Sequence, residues 1–138
     1  MENSSYFQFD GFRITKSHFN IGIEQKPSEL SVSIDPSGKL DKVNNIFHLT
    51  LETLISDADE KINIEINTIG FFKFDNIKEK ELEPFLYHNA PALLFPYIRA
   101  YISSLTTLSG IKPITLPTLN LSNLKDKLEA NVKEVALK

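Results

Sequence analysis

The feature that most constrains this chain is a long run almost without charge. From Asn89 to Ile111 the only charged side chain is Arg99. Asn89 can cap a helix there, Pro91 suits its first turn and Gly110 can end it. Leu94, Ile98, Tyr101, Leu105 and Leu108 fall on one stripe at helical spacing. Leu93, Phe95, Tyr97, Ala100 and Ile102 cover most of the remaining circumference. A helix apolar nearly all round has to be buried on more than one side. In a chain of 138 residues, read as one domain over 1–138 with one core, one of those sides is expected to be another subunit. The run approaches membrane-spanning length, but Arg99 sits at its centre and Pro91, Pro96, Ser103, Ser104, Thr106 and Thr107 dilute it. A buried or interfacial helix, without stable membrane insertion, is therefore expected.

Ahead of this helix the sequence alternates. Phe7 and Phe9, then Phe12 and Ile14, then Phe19, Ile21 and Ile23 have the period of a half-buried strand, with a bend expected near Thr15, Lys16 and Ser17. Leu30, Val32 and Ile34 alternate next, and Asp35-Pro36-Ser37-Gly38 reads as a turn. Phe47, Leu49 and Leu51 belong to a run from Ile46 to Ile55, a turn follows at Asp57 to Glu60, and Ile62 to Phe74 reads as a further strand. Short connections between successive strands point to an antiparallel sheet. Lys78 to Glu83 is a mixed-charge helical piece or linker, and Lys112 to Leu121 a loop punctuated by Pro113 and Pro117. Leu124, Leu128, Val132 and Val135 line one face of a final helix that Ser122 can cap. Strands first and helices last give an α+β fold.

Signatures of catalysis are missing. His18, His48 and His88 have no metal-ligand spacing, and His18 and His48 read as surface residues, His88 as local capping or packing. The five glycines are isolated, so no phosphate-binding loop exists. Asp57 with Asp59 reads as a solvated turn, and Ser103 and Ser104 lack a glycine elbow and a partnered base. The expectation is a non-enzyme with no cofactor and no metal. A net charge of −3 gives no global footprint for nucleic acid. With no cysteine, disulfides and thiolate sites are excluded and the cytoplasm is the expected compartment. Met1 to Ser5 shows neither the basic start nor the apolar core of a signal peptide. What stands out is apolar surface: ten phenylalanines and four tyrosines are more than a tidy core needs. Such a surplus suits subunit contacts or the binding of extended peptides.

From Leu94 to Arg99 the chain reads Leu-Phe-Pro-Tyr-Ile-Arg, followed by Ser103-Ser104-Leu105, a proline loop and Leu119-Asn120-Leu121. This resembles the SecB family of bacterial protein-export chaperones, whose long helix starts with the same pattern. The resemblance implies a SecB-like fold: a four-stranded antiparallel sheet followed by a long helix and a shorter C-terminal helix packed on one face. It implies a homo-oligomer, a dimer of dimers with long helices at its centre. The implied activity is that of an ATP-independent holdase, which keeps unfolded preproteins competent for export. The alternative within the same family is a SecB-like chaperone dedicated to one client, such as the antitoxin of a toxin–antitoxin system.

Carried over residue by residue, the resemblance assigns client contacts to Leu119, Leu121, Leu124 and Leu128, to which the apolar surplus adds Phe71, Phe72 and Phe74. It assigns subunit association to Ile64 and Ile66, beside the helix stripe of Leu94, Ile98, Tyr101 and Leu105, and docking of the SecA motor to Glu65. Non-directional burial of apolar segments would give promiscuity, and sheet edges would add main-chain pairing. Three departures from the family pattern weaken the SecA assignment more than the client one. The Glu24–Glu29 connection is short and lacks an aromatic, Ser17 replaces an acidic residue, and the end at Glu134 to Lys138 lacks an acidic tail.

Overall fold

The computed structural model describes residues 4–23, 29–59, 61–116 and 121–137, the side chains of 121 and 122 aside. The chain runs β1 (Tyr6–Ile21), β2 (Leu30–Asp41), β3 (Ile46–Asp57), β4 (Ile62–Asp75), α1 (Glu79–Pro84), α2 (Ala90–Leu108), α3 (Lys125–Ala130) and β5 (Val132–Glu134). The strands form one sheet in the order β1-β4-β3-β2-β5. β1 to β4 pair antiparallel, as the short connections imply, whereas β5 pairs parallel to β2.

One face of the sheet is the core. Ile62, Ile64, Ile66, Phe72 and Phe74 of β4 and Phe47, Leu49, Leu51 and Ile55 of β3 all point to it and are buried, as period-2 alternation requires. Strand β1 shows why its sequence pattern slips twice. Phe9 pairs with Phe72 and Gly11 with Phe71, while Ile14 pairs with Thr68 and Lys16 with Asn67, so Asp10 and Thr15 are extra residues. Each bulge inverts the alternation. Phe7 and Phe9, then Phe12 and Ile14, then Phe19 and Ile21 therefore all face the same side, and the bend expected near Thr15 is the second bulge.

Two expectations about local structure are corrected. Asp35 to Gly38 is not a turn, because β2 runs through it, with Pro36 opposite Leu51. Gly38 donates its N–H outward to Asn131 O of the β5 segment. Pro36, two residues earlier, presents its nitrogen on the same outer edge, where β5 does not reach, so no ladder bond is lost. Gly38 itself is a close-approach position: a Cβ there would lie 2.8 Å from Phe47 Cε1 and 3.2 Å from Val132 Cγ2. The true turn is Asp41 to Asn45. Asp41 Oδ1 accepts the N–H groups of Val43 and Asn44, both at 3.0 Å, and Asn45 adopts φ +56°.

The second correction concerns the helices. Asn89 is no cap: it sits in helical conformation, without a side-chain cap bond. Helix α1 continues through a π-helical turn (Phe85–Asn89) directly into α2. The widened turn ends just before Pro91, whose missing N–H breaks the regular ladder. The C-terminus of α2 ends as expected. Gly110 at φ +87° lets its N–H reach Thr107 O and that of Ile111 reach Thr106 O, a Schellman arrangement. Thr106 then holds the loop: its Oγ1 donates to Ile102 O and accepts Ile114 N–H at 2.9 Å, which sets Ile114 and Leu116 in the core. The last helix is shorter than its pattern suggests. Leu128 is buried on α3, but Val132 lies on β5 and Val135 beyond it.

Candidate functional site

The aromatic surplus collects at the seam between β1 and the long helix. Phe7 stacks between Phe72 and Phe85, with centroids 5.3 Å from each. Phe9 lies 5.4 Å and Phe12 4.7 Å from the Tyr97 ring, and the Tyr101 hydroxyl hydrogen-bonds Ser17 Oγ at 3.0 Å. Phe72 and Phe85 close the seam from inside. Phe12, Tyr97 and Leu93 leave it open, at 39%, 43% and 42% exposure. Beside them, β1 is an edge strand of 16 residues, and among the described residues no strand pairs with its outer side. Unpaired N–H and C=O groups next to exposed aromatics form a surface able to pair with extended chain. The helix adds an uncharged outer strip, with Leu93, Pro96, Ala100 and Ser104 all exposed.

The residues singled out in sequence spread over several environments. Ile64, Ile66, Leu94 and Ile98 are fully buried between sheet and helix, and Tyr101 and Leu105 are half-buried. Phe72, Phe74 and Leu128 are core residues, Leu124 is half-buried, and Leu119 and the Leu121 side chain lie outside the described residues. Phe71 points to the opposite, open face of the sheet, where the His48 ring meets it edge-on at 5.0 Å. Glu65 is on that face too, and Lys16 pairs with its carboxylate at 3.1 Å. His48 is half-buried rather than a surface group. Burial, and then the charge of Lys39, lower its pKa below the usual 6.5. Phe7, Phe9, Phe12 and Tyr97 carry the seam, and sequence reasoning assigned none of them a role. The spacing of Leu93, Tyr97 and Tyr101, one helical turn apart, was the available signal.

A second concave region lies where α1 meets the far edge of the sheet. A cleft of ≈ 200 Å³ is lined by Leu40, Leu82, Leu86 and Val132 at its floor and by Lys42, Glu79 and Glu134 at its rim. Lys42 bridges the last two, with Glu134 at 2.8 Å and Glu79 in direct contact. Glu134 first and Glu79 second push the lysine pKa up. Asp41 fastens the same corner, accepting Leu137 N–H at 2.7 Å and Asn44 Nδ2–H at 2.7 Å. These bonds, that of Asn44 foremost, lower its carboxyl from 3.8 to about 2. Among the described residues there is no group of His, Cys, Asp and Glu able to hold a metal ion, and no helix is long and apolar enough to cross a membrane.

An unpaired β1 edge beside exposed aromatics, under a long helix whose one charged side chain is Arg99, is a geometry able to bind extended chain. The profile of the family described as preprotein translocase subunit SecB matches residues 14–131, and the chain belongs to the SecB family. Members of that family are chaperones of protein export, not enzymes. The protein-export protein SecB of Burkholderia lata is 28% identical over 120 residues, covering 84% of this chain and 74% of that one. SecB of Roseobacter denitrificans is 24% identical over 103 residues, and the match spans 72% of this chain but only 62% of the relative. Among solved structures, a SecB-like chaperone of Mycobacterium tuberculosis in complex with a peptide from the HigA1 antitoxin superposes with a TM-score of 0.70. Its identity is 18%, and the match covers 83% of this chain and 88% of that one. The expected SecB-like α+β fold is thus found, enlarged by the parallel strand β5.

Proposed function

We propose that this protein is an ATP-independent holdase, assembled through Pro96, Ala100 and Ser104 on the outer side of α2, that captures unfolded chain along the β1–α2 seam. The supporting observation is the pairing of an unoccupied sheet edge with Phe12, Tyr97 and Leu93, half-exposed side chains that a solitary globule would cover. Stacked rings accept many apolar side chains without directional demands, and the free edge adds sequence-independent hydrogen bonds. The bulges at Asp10 and Thr15 and the charges of Arg13 and Lys16 keep the edge from pairing indiscriminately. Several such seams on one oligomer would add avidity to individually weak contacts. A single domain over 1–138 is part of this reading, as are the contacts of Phe71 and Leu124 with clients at the periphery.

A second reading, a chaperone dedicated to one client, is supported by the antitoxin peptide bound to the mycobacterial neighbour. Co-elution on a sizing column separates the possibilities. A chemically unfolded preprotein is expected to elute with this protein in a peak larger than the free oligomer, and the same preprotein folded is not. Capture of one antitoxin and of no other unfolded chain would favour the second reading, and a monomer that captures nothing would overturn both. Phe12→Ser with Tyr97→Ser is expected to reduce capture about tenfold or more, two half-exposed aromatics contributing roughly 1 kcal/mol each, without changing the size of the free protein. A change of size would mean that the seam joins subunits.

A further inference from the structure

The face of the sheet turned away from the helices is polarised, and one end of it carries two lysines that no carboxylate of the described residues pairs with. Lys133 of β5 stands in register with Lys39 of β2, Lys39 with His48 of β3, and His48 with Phe71 of β4. Neighbouring strands lie about 4.8 Å apart, so these four side chains form one row across the sheet. Arg13 continues it from β1, its guanidinium 5.9 Å from the centre of the Phe71 ring. Like charges directly opposite each other destabilise a sheet, yet Lys39 and Lys133 are so placed in a chain whose net charge is −3. Other lysines of this face are neutralised: Lys16 pairs with Glu65 at 3.1 Å and Lys73 with Asp10 at 3.2 Å. Among the described residues no carboxylate pairs with Lys39 or Lys133. Asp35 and Glu52, opposite each other on this face, lie four residues along the strands from Lys39 and His48, roughly 13 Å away at the rise of a β-strand, and the nearer Asp41 has its carboxylate engaged by the N–H groups of Val43, Asn44 and Leu137.

The row borders a cleft of ≈ 240 Å³ lined by Lys39, Lys133, His48, Ile69 and Leu137, with Ser37 and Thr50 between them. Cations at its mouth and apolar side chains in its wall match a ligand that is both anionic and partly apolar. A fully solvated inorganic ion would leave Ile69 and Leu137 unused. We propose that this cleft docks an acidic peptide segment of a partner protein, its carboxylates on Lys39 and Lys133 and an aromatic or aliphatic side chain against Ile69, Phe71 and Leu137. The site lies on the opposite face of the sheet from the β1–α2 seam and, the shared Phe71 apart, does not depend on the holdase reading.

The test uses the full chain and a short fluorescein-labelled glutamate-rich peptide containing one phenylalanine, read by fluorescence anisotropy. The wild-type protein is expected to bind it, with an affinity that falls as salt rises. Lys39→Glu with Lys133→Glu is expected to weaken binding about tenfold or more. Lys39→Gln with Lys133→Gln should give a smaller loss, and Lys80→Glu, an equal charge change on α1, none. Circular dichroism melting and sizing chromatography verify that each variant keeps its fold. Absence of binding by the wild type, or undiminished binding by both double variants, overturns the proposal. So does tighter binding of a single-stranded oligonucleotide than of the peptide, or a change of oligomeric size in the folded double variants, which would make this face a contact between copies.

Discussion

Phe71 and Phe72 are adjacent in sequence and belong to different proteins in all but the covalent sense. Phe72 faces the helices, has no accessible surface, and packs on Phe7, Phe9 and Phe47. Phe71 faces the open side, half-buried between His48 and Arg13. The same contrast runs through the whole sheet. The covered face is an apolar core, interrupted by the buried Thr53 and Thr68, that fixes register, because a slip of one residue would expose all of it. The open face pays no such penalty, so its residues are free to carry charge patterns such as the Lys133–Lys39–His48 row. Stability is concentrated on one side and recognition chemistry can vary on the other.

The contrast is broken most directly by truncation. Phe72→Ala is expected to cost about 3–5 kcal/mol in denaturant unfolding, whereas Phe71→Ala should cost about 1 kcal/mol or less. Equal losses would show that the open face is as much core as the covered one. Gly38→Ala comes next, at about 1–3 kcal/mol, because the new methyl meets the buried Phe47 ring at 2.8–3.0 Å. A neutral result would mean that the Phe47 ring can shift to make room. Asp41→Asn probes the corner where the two faces meet. The native carboxyl is held at about 2 against an ordinary 3.8, so the unfolded chain takes up the proton first as pH falls. The contribution of Asp41 is complete above about 4 and disappears as pH drops through 2. Acid titration of wild type and variant, followed by circular dichroism, should show this window flattened in Asp41→Asn. Smallest is Lys16→Ala. Its ion pair with Glu65 is 54% and 32% exposed, and the expected loss is about 0.5 kcal/mol, shrinking with salt.

Legibility followed periodicity. The strands of residues 46–55 and 62–74 were readable because Phe47, Leu49 and Leu51 alternate in one and Ile62, Ile64 and Ile66 in the other, and both strands are found with that face inward. Leu94 and Ile98 were readable as a buried helical stripe for the same reason. Asp35-Pro36-Ser37-Gly38 has the composition of a turn, and only the edge position of Pro36 and the ring of Phe47 over Gly38 explain its place in a strand. Val132 and Val135 fit a helical face in sequence; the pairing of Gly38 with Val132 made the first a strand residue, and the bond from Val135 N–H to Leu40 O holds the second just past that strand. The seam was partly visible as too many aromatics, but which of them remain exposed was not.

Within the residues described, hydrophobic period, a local property read along the chain, was enough to place the four strands ahead of the long helix, their alternating core face and that helix with Arg99 as its one charge. The sequence also held the Leu-Phe-Pro-Tyr-Ile-Arg pattern from Leu94 to Arg99 that carries the resemblance to the family. Only the tertiary structure decided the fifth strand, the continuation of the helix through a π turn, the gathering of Phe7, Phe9, Phe12 and Tyr97 at one seam, and the alignment of Lys133 with Lys39. Each of these depends on residues far apart in sequence meeting in a particular register, and register is fixed by packing across the sheet rather than by neighbours along the chain.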